Sequence, residues 1–204
     1  MYYELATITL SLGRASQAGP LVNAYSTDPQ AKGKLLGFWL ADIGELNQGI
    51  VLREFANESD LNDERRRGLL SPNPFGCAEI ATRVEMQSYA RFPWLPPVQT
   101  GRVGPVFEVR TYELKTGGLG PTLDAWRAAL PARHAVSPCV VAMYALDGAP
   151  RITSIWATST LEQRAKARSD SVQQGIWPPK GGPEWLTTRM RSTVCLPTPV
   201  SPLQ

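Results

Sequence analysis

The sequence predicts an α+β fold in which two βαββαβ units follow each other and their antiparallel sheets face one another. The first observation is an internal repeat, because Tyr3–Leu10 aligns with Phe107–Leu114 at a separation of 104 residues. The second is a register of 106 residues further along, which aligns Arg83 with Arg189. The third is the shared order of predicted elements in the two halves. Matches at nearly constant spacing over a long span are typical of a duplicated supersecondary unit.

The second half shows its elements most clearly. Val106–Leu114 alternates apolar and polar residues, which is typical of a half-buried strand. Leu119, Leu123 and Trp126 recur at helical spacing, and Pro131 is expected to follow the end of that helix. We predict a strand at 106–114, a helix from 119 to about 129, a hairpin of strands at 139–146 and 152–158, a helix at 161–172 and a strand at 189–196.

Two further features of the second half concern helix ends and charge. Ser159 and Glu162 have the spacing of a capping box, so we expect Ser159 to cap the second helix. Arg164, Lys166 and Arg168 are expected on the solvated face of that helix.

The first half follows the same order with weaker signals. Gly19-Pro20 is expected to interrupt its first helix, and a Gly44 turn is expected to join its hairpin. We predict a strand at 2–12, a helix from 20 to about 26 or beyond, strands at 37–43 and 48–55, a helix from about 59 and a strand at 83–92.

The predicted domain limits follow from these elements. We expect a first repeat at 1–93, a stiff linker at 94–105 that is rich in Pro and Gly, and a second repeat at 106–204. A βαββαβ unit places both helices on one face of its sheet, so the other face needs a cover. Two facing sheets would supply that cover and bury a set of large side chains, namely Trp39, Met143, Tyr144 and Trp156.

Composition restricts the partners that the protein is expected to have. The 204 residues carry 21 basic and 18 acidic side chains, a net charge of +3, which gives no electrostatic basis for binding nucleic acid. No apolar run reaches the length of about 20 residues that a membrane span needs. Three widely spaced cysteines and a start without a secretory or mitochondrial leader predict a cytoplasmic protein with reduced thiols.

Catalytic and metal motifs are weak in this sequence. His134 is the only histidine and is expected on a loop, so we predict no metal site and no cofactor. There is no G-x-S-x-G elbow of the kind that hydrolases use. Thr116–Gly120 is rich in glycine but is followed by no Gly-Lys-Ser/Thr pattern, so we interpret it as a helix-entry turn.

Four segments in order resemble those of the NIPSNAP family. Phe107–Lys115, with the sequence FEVRTYELK, resembles the opening of its domains, and Gly37–Gln48 is similar to its second-strand segment. Leu161–Arg164 resembles its second helix, and Leu196–Pro202 resembles its Pro-rich end. The resemblance covers nearly the whole chain. It implies a ferredoxin-like, dimeric α/β-barrel fold with two units in one chain, in a family linked to vesicle traffic, mitochondrial signalling and small-molecule binding.

The two halves differ at two aligned strand positions whose side chains could bind a ligand. The second half has Arg110 and Tyr112 where the first has Ala6 and Ile8. We expect both side chains to face the space between the sheets, where a cation and a phenol amid apolar walls would bind a small ligand. The predicted pocket residues are Arg110, Tyr112, Trp39, Tyr144 and Trp156.

Two classes of function remain open at this point. The first is a barrel that binds a small, partly apolar organic molecule or a protein partner, and it is the one we prefer. The alternative is a cofactor-independent monooxygenase-like enzyme, or a barrel that binds haem through His134. We also expect a homo-oligomer, because exposed helices and edge strands offer self-complementary surfaces.

Overall fold

In the computed structural model, which describes residues 1–204, eight strands and four α-helices repeat the order βαββαβ twice. Two of the strands, 48–55 and 106–114, have the predicted bounds. The elements are β1 (Tyr2–Leu10), α1 (Ala18–Ser26), β2 (Lys34–Ile43), β3 (Gln48–Phe55), α2 (Glu58–Leu70), β4 (Ala81–Arg91), β5 (Val106–Leu114), α3 (Leu119–Val136), β6 (Cys139–Ala145), β7 (Arg151–Thr158), α4 (Leu161–Gln173) and β8 (Leu186–Pro197).

The eight strands form one closed antiparallel barrel in the order β1-β3-β2-β8-β5-β7-β6-β4. Within each half the outer pair of strands flanks a central pair, as in a ferredoxin-like sheet. The two sheets face each other and also join edge to edge, where β2 pairs with β8 and β4 pairs with β6. The predicted α+β class with two ferredoxin-like repeats is therefore confirmed.

Strand registers repeat the two separations found in the sequence. Tyr3 on β1 lies opposite Tyr89 on β4, and Phe107 on β5 lies opposite Cys195 on β8. The first members of these pairs are 104 residues apart and the second members 106. The separation between aligned residues therefore changes because the second repeat is slightly longer, while equivalent strands pair in the same way in both repeats.

Apolar side chains form three clusters because successive residues of a strand point to opposite faces. One cluster fills the barrel and includes Trp39, Phe107 and Met143. A second lies between the first half's sheet and its helices, around Phe38 and Phe75. The third lies between the second half's sheet and its helices; its members and the side chains packed on it include Phe92, Tyr112, Trp126, Tyr144, Trp156 and Trp177.

Linker and C-terminal residues close one end of the barrel. Val98 and Leu203 are buried within the interior cluster. The Leu203 amide donates to the Leu36 carbonyl at 3.0 Å, and the Val103 amide donates to the Gln204 carbonyl at 2.6 Å. The segment predicted as a spacer between the repeats is thus packed against the strands.

Closure of the barrel leaves no exposed edge strand, which was one of the two surfaces on which the predicted homo-oligomer was based. Every strand has two neighbours, so no sheet edge is free to pair with a second copy. The homo-oligomer remains a prediction that would have to use the helices or loops. None of the helices combines the length and the apolar character that crossing a bilayer requires.

Two predictions about helices containing proline are wrong. Helix α3 continues through Pro131 to Val136, so His134 lies in its last turn and not on a loop. Leu130 and Arg133 continue its buried face, and this packing keeps the chain helical beyond the proline. Helix α1 already begins at Ala18, and Pro20 lies in its first turn, where no amide hydrogen is needed.

The start and the charged face of α4 also differ from expectation. Its N-cap is Thr160, whose hydroxyl accepts from the Gln163 amide at 3.0 Å. Lys166 is solvated, as predicted, and pairs with Asp170. Arg164 and Arg168 instead reach inward to a buried carboxylate of β5, because residues four apart share one face of a helix and this face lies against the sheet.

Candidate functional site

The predicted pocket residues separate into two groups. Arg110, Tyr112, Tyr144 and Trp156 lie together in the outer layer of the second repeat, between its sheet and helices α3 and α4. Their expected orientation toward the space between the sheets is wrong. Val109 and its neighbours at alternate positions of β5 fill the barrel, so Arg110 and Tyr112 must face the helices.

Trp39 is the exception and lies inside the barrel. Its ring packs against Phe107 with centroids 5.1 Å apart, in the interior cluster where Met143 also lies as predicted. It makes no contact with the outer layer, so it belongs to the barrel core.

Three arginines lie within 4 Å of one buried carboxylate in this outer layer, and a fourth lies over the Trp156 ring. We call Arg110, Arg133, Arg164, Arg168 and Glu108 the arginine layer. Arg164 donates to Glu108 through Nε at 2.8 Å and through Nη2 at 2.5 Å. Arg168 Nη1 and Arg110 Nε lie 3.5 and 3.6 Å from Glu108 Oε1. The layer therefore contains one negative and four positive charges.

Arg110 and Arg133 have no hydrogen-bond partner in the protein. Arg110 Nε and Arg133 Nη1 are buried donors without an acceptor, and Arg133 is only 4% exposed. Arg133 was not among the predicted residues because we placed it on a loop. The helical spacing of Trp126, Leu130 and Arg133, continued across Pro131, is the signal that would have found it.

Burial and charge shift the pKa values of this layer in the directions expected. Burial lowers the pKa of both the Arg110 and the Arg133 guanidinium, although an arginine remains cationic at neutral pH. Burial alone would raise the pKa of Glu108, but hydrogen bonds from Arg164 and Ser192 outweigh it, so the pKa is lowered. Burial raises the pKa of Tyr112 despite the nearby arginines. Tyr112 is therefore a neutral donor beside fixed cations.

Three tryptophans form the apolar wall of the arginine layer. Trp126 packs edge-on against Trp177 with centroids 4.8 Å apart, and Trp156 lies 5.9 Å from Trp177. The Arg133 guanidinium lies 4.7 Å from the centre of the Trp156 ring. Flat aromatic faces next to cations favour planar, anionic guests.

The first repeat fills the same space with a closed ion-pair network. Arg53 donates to Glu4 Oε1 through Nε at 3.1 Å and Nη2 at 2.6 Å, and it also donates to Glu64. Arg67 donates to Glu64 through Nη2 at 2.6 Å. Two carboxylates therefore balance two guanidinium groups.

Strand and helix positions show which residues replace this network in the second repeat. Glu4 lies opposite Arg53, whereas its counterpart Glu108 lies opposite Trp156. Glu64 is the seventh residue of α2, and the seventh residue of α4 is Ala167. Arg67 is the tenth residue of α2, and the tenth residue of α4 is Asp170. The second repeat has therefore lost both cations and one anion of the network and has gained the four arginines of the arginine layer.

A cavity of about 360 Å³ lies inside the open end of the barrel. Among its polar lining side chains, Gln87 accepts a hydrogen bond from the Tyr89 hydroxyl at 2.7 Å. Arg151 pairs with Asp147 at 2.8 Å. This cavity is polar, and its Arg151 guanidinium is already paired.

Two other cavities lie on the outside of the barrel. One of about 670 Å³ lies where the linker crosses β6 and α3, and one of about 400 Å³ lies between α1 and the end of β8. None of the three cavities is lined by Arg110 or Tyr112. No group of three His, Cys, Asp or Glu side chains is arranged to hold a metal ion.

Comparison of the whole structure with solved structures identifies similar folds. A candidate monooxygenase from Lactobacillus acidophilus is 12% identical, with a TM-score of 0.66 over 96% of this chain and 93% of that chain. An anthrone oxidase-like protein is also 12% identical, with a TM-score of 0.64 over 97% of this chain and 91% of that chain. At this identity the likeness establishes the fold alone.

Sequence comparison identifies the family. A Dictyostelium discoideum protein described as a NipSnap homolog is 25% identical over 147 residues, which cover 70% of this chain and 65% of that protein. The match therefore spans slightly less than two thirds of the relative. The NIPSNAP family model matches residues 3–81 and 107–202, that is, most of both repeats. The chain belongs to the NIPSNAP family.

Proposed function

We propose that the second repeat binds a small organic anion with a planar, apolar body at the arginine layer. The observation that carries this proposal is the pair of buried guanidinium groups, Arg110 and Arg133, that have no hydrogen-bond acceptor in the protein. A buried donor that lacks a partner costs free energy, and more so when it is charged. A bound anion would supply the missing acceptors.

The charge balance supports an anion over a neutral ligand. Glu108 is already engaged by Arg164 and by the Ser192 hydroxyl, which donates at 2.5 Å. It therefore has little capacity left for Arg110, whose nearest approach of 3.6 Å is an ion pair without a hydrogen bond. A carboxylate with two oxygens matches the forked geometry of a guanidinium.

The surroundings of these cations support a planar, apolar body. The partly exposed Trp177 packs against the buried Trp126 and Trp156, and Tyr112 offers a phenol that is protonated at neutral pH. Small-ligand sites commonly combine apolar walls with a few placed polar groups. A ligand would enter from the side of Arg168, the most exposed of the four guanidinium groups.

The proposal is tested with naphthoate and with naphthamide, its neutral isostere, by the quenching of tryptophan fluorescence. We expect naphthoate to quench saturably and to bind more tightly than naphthamide. Replacement of a charged hydrogen-bonding group costs roughly 1.5–3 kcal/mol, so Arg110→Gln and Arg133→Gln should each weaken naphthoate binding by about tenfold or more.

Arg127→Gln is the matched control, because Arg127 lies on the exposed face of α3 and carries the same charge. It should bind naphthoate as the unmodified protein does. Equal affinity for naphthoate and naphthamide, or unchanged binding after both inner substitutions, would contradict the proposal.

An oxidase-like reaction at the same residues is a second candidate. It is favoured by the anthrone oxidase-like fold and by the position of the Arg110 guanidinium, 5.2 Å from the Tyr112 ring centre. Oxygen consumption with anthrone should then fall sharply in Tyr112→Phe and in Arg110→Ala. Consumption that is absent, or indifferent to both changes, would leave binding as the function of the layer.

A further inference from the structure

The largest of the three cavities lies at the seam between the repeats, and we call it the seam cleft. It measures about 670 Å³ and opens where the short β4–β6 pairing ends. The linker, the last turns of α3 and the start of β6 form its walls. Its lining residues include Arg91, Gln99, His134, Cys139 and Val140.

The walls of the seam cleft are mainly apolar and contain no acidic residue. Proline, leucine and valine side chains supply most of its surface, and its volume lies within the range of about 300–1,000 Å³ that small-molecule sites occupy. Cys139 adds no negative charge, since burial raises the pKa of its thiol to about 12. No group in the walls can therefore balance a cation.

Arg91 is the cation of the seam cleft, and it has no partner. Its Nε and Nη1 are both buried without an acceptor. The strand fixes its position, because Arg91 pairs with Met143 at the seam. Arg91 thus resembles Arg110 and Arg133 in its unmet donors, but it lies next to an open cavity.

His134 supplies a second polar group in the same walls. Its Nδ1 accepts a hydrogen bond from the Cys139 amide at 3.2 Å. A neutral imidazole that accepts at Nδ1 carries its proton on Nε2, so His134 keeps one donor available. Gln99 on the linker adds an amide. The cleft therefore combines hydrogen-bond donors at Arg91 and His134 with apolar walls.

We infer that the seam cleft binds a monocarboxylate with an apolar tail, whose carboxylate pairs with Arg91. The apolar walls hold the tail, and the guanidinium receives the two carboxylate oxygens in its forked geometry. This site is separate from the arginine layer, because none of the four arginines of that layer lines the cleft. It therefore does not depend on the proposed function.

Calorimetric titration with decanoate and with decan-1-ol, both below their micelle concentrations, tests the inference. We expect saturable binding of one decanoate per chain, at least about tenfold tighter than that of the alcohol. Arg91→Gln should weaken decanoate binding by about tenfold or more and leave the alcohol unchanged. Arg91→Lys, which keeps the charge, should retain part of the preference for decanoate.

Two controls separate the cleft from other cationic surfaces. Arg102→Gln removes an exposed linker arginine that does not line the cleft, and it should bind decanoate normally. Val140→Trp fills the cleft and should abolish binding of both ligands, which tests the site even where Arg91→Gln folds poorly.

The inference is overturned by any of four results. These are an absence of saturable decanoate binding, equal affinity for acid and alcohol, indifference to Arg91→Gln, or binding that survives Val140→Trp. Loss of decanoate binding in Arg110→Gln together with normal binding in Arg91→Gln would place the ligand in the arginine layer. That result would reject the seam cleft and leave the proposed function standing.

Discussion

Arg53→Met is expected to be among the most destabilising single changes in the buried layer between the first sheet and its helices. The Arg53 side chain is fully buried, and its partners Glu4 and Glu64 are each 1% exposed. Methionine fills a similar volume but leaves both carboxylates without this guanidinium. The expected loss depends on the partners that each of them retains.

Glu4 retains no partner after this substitution. Its Oε1 accepts only from Arg53, and its Oε2 already lacks a partner. Glu64 keeps three hydrogen bonds from Arg67 and one from the Lys32 amide. One buried charge is therefore left uncompensated, for which the usual cost is about 3–5 kcal/mol. In a chain of this length we expect the Tm to fall by roughly 6–20 °C.

Urea unfolding followed by circular dichroism measures this loss, with Arg133→Met as the matched comparison. Arg133 is also buried, but it has no hydrogen-bond partner to abandon. Its replacement removes an unmet charge, so we expect stability to stay the same or to rise. The double variant Glu4→Met/Arg53→Met should recover most of the loss, because no lone carboxylate remains on that strand pair.

Similar losses in Arg53→Met and Arg133→Met would contradict this prediction, since they would mean that Arg133 has a partner within the folded chain. Failure of the double variant to recover stability would likewise show that Arg53 acts through packing and not through Glu4.

Three further predictions concern acid stability, packing and capping. The pKa of Glu108 is lowered below its ordinary value of 4.5, so the stability that the ionised carboxylate contributes is present above pH 4.5 and is lost as the pH falls through the lowered pKa. Glu108→Gln should therefore flatten the loss of stability on acidification. A Cβ at Gly37 would lie 2.0 Å from the Trp39 ring, so Gly37→Ala should cost about 1–3 kcal/mol in urea unfolding, whereas Gly120→Ala, with open space around it, should cost nothing. Thr160→Ala should remove about 1 kcal/mol by loss of the α4 cap, and an unchanged urea midpoint would refute Thr160 as the cap.

Local patterns predicted most of the fold. The alternation in Val106–Leu114 and the Gly44 turn each depend on neighbouring residues, so a strand and a hairpin could be placed from them. The same patterns failed at Pro131, where packing of Leu130 and Arg133 against the sheet outweighs the cost of a proline within a helix.

The direction in which the side chains of the candidate site point was harder to predict from the sequence. Alternation showed that Arg110 and Tyr112 share one face of β5, but it could not show which face meets the helices. Both faces of this strand carry apolar and polar residues, so the pattern alone gives no preference. Only the packing of Val109 inside the barrel decides that the pair lies beneath α3 and α4.

The duplication, the order of the elements and the family could be predicted from the sequence, because they depend on residues that are close along the chain or that recur at fixed separations. The tertiary structure alone decided which polar groups have partners. Glu4 meets Arg53 across 49 residues, whereas Arg91, Arg110 and Arg133 each keep a buried guanidinium nitrogen that makes no hydrogen bond. Pairing of buried charge is a property of distances in space, and spacing along the chain does not encode it.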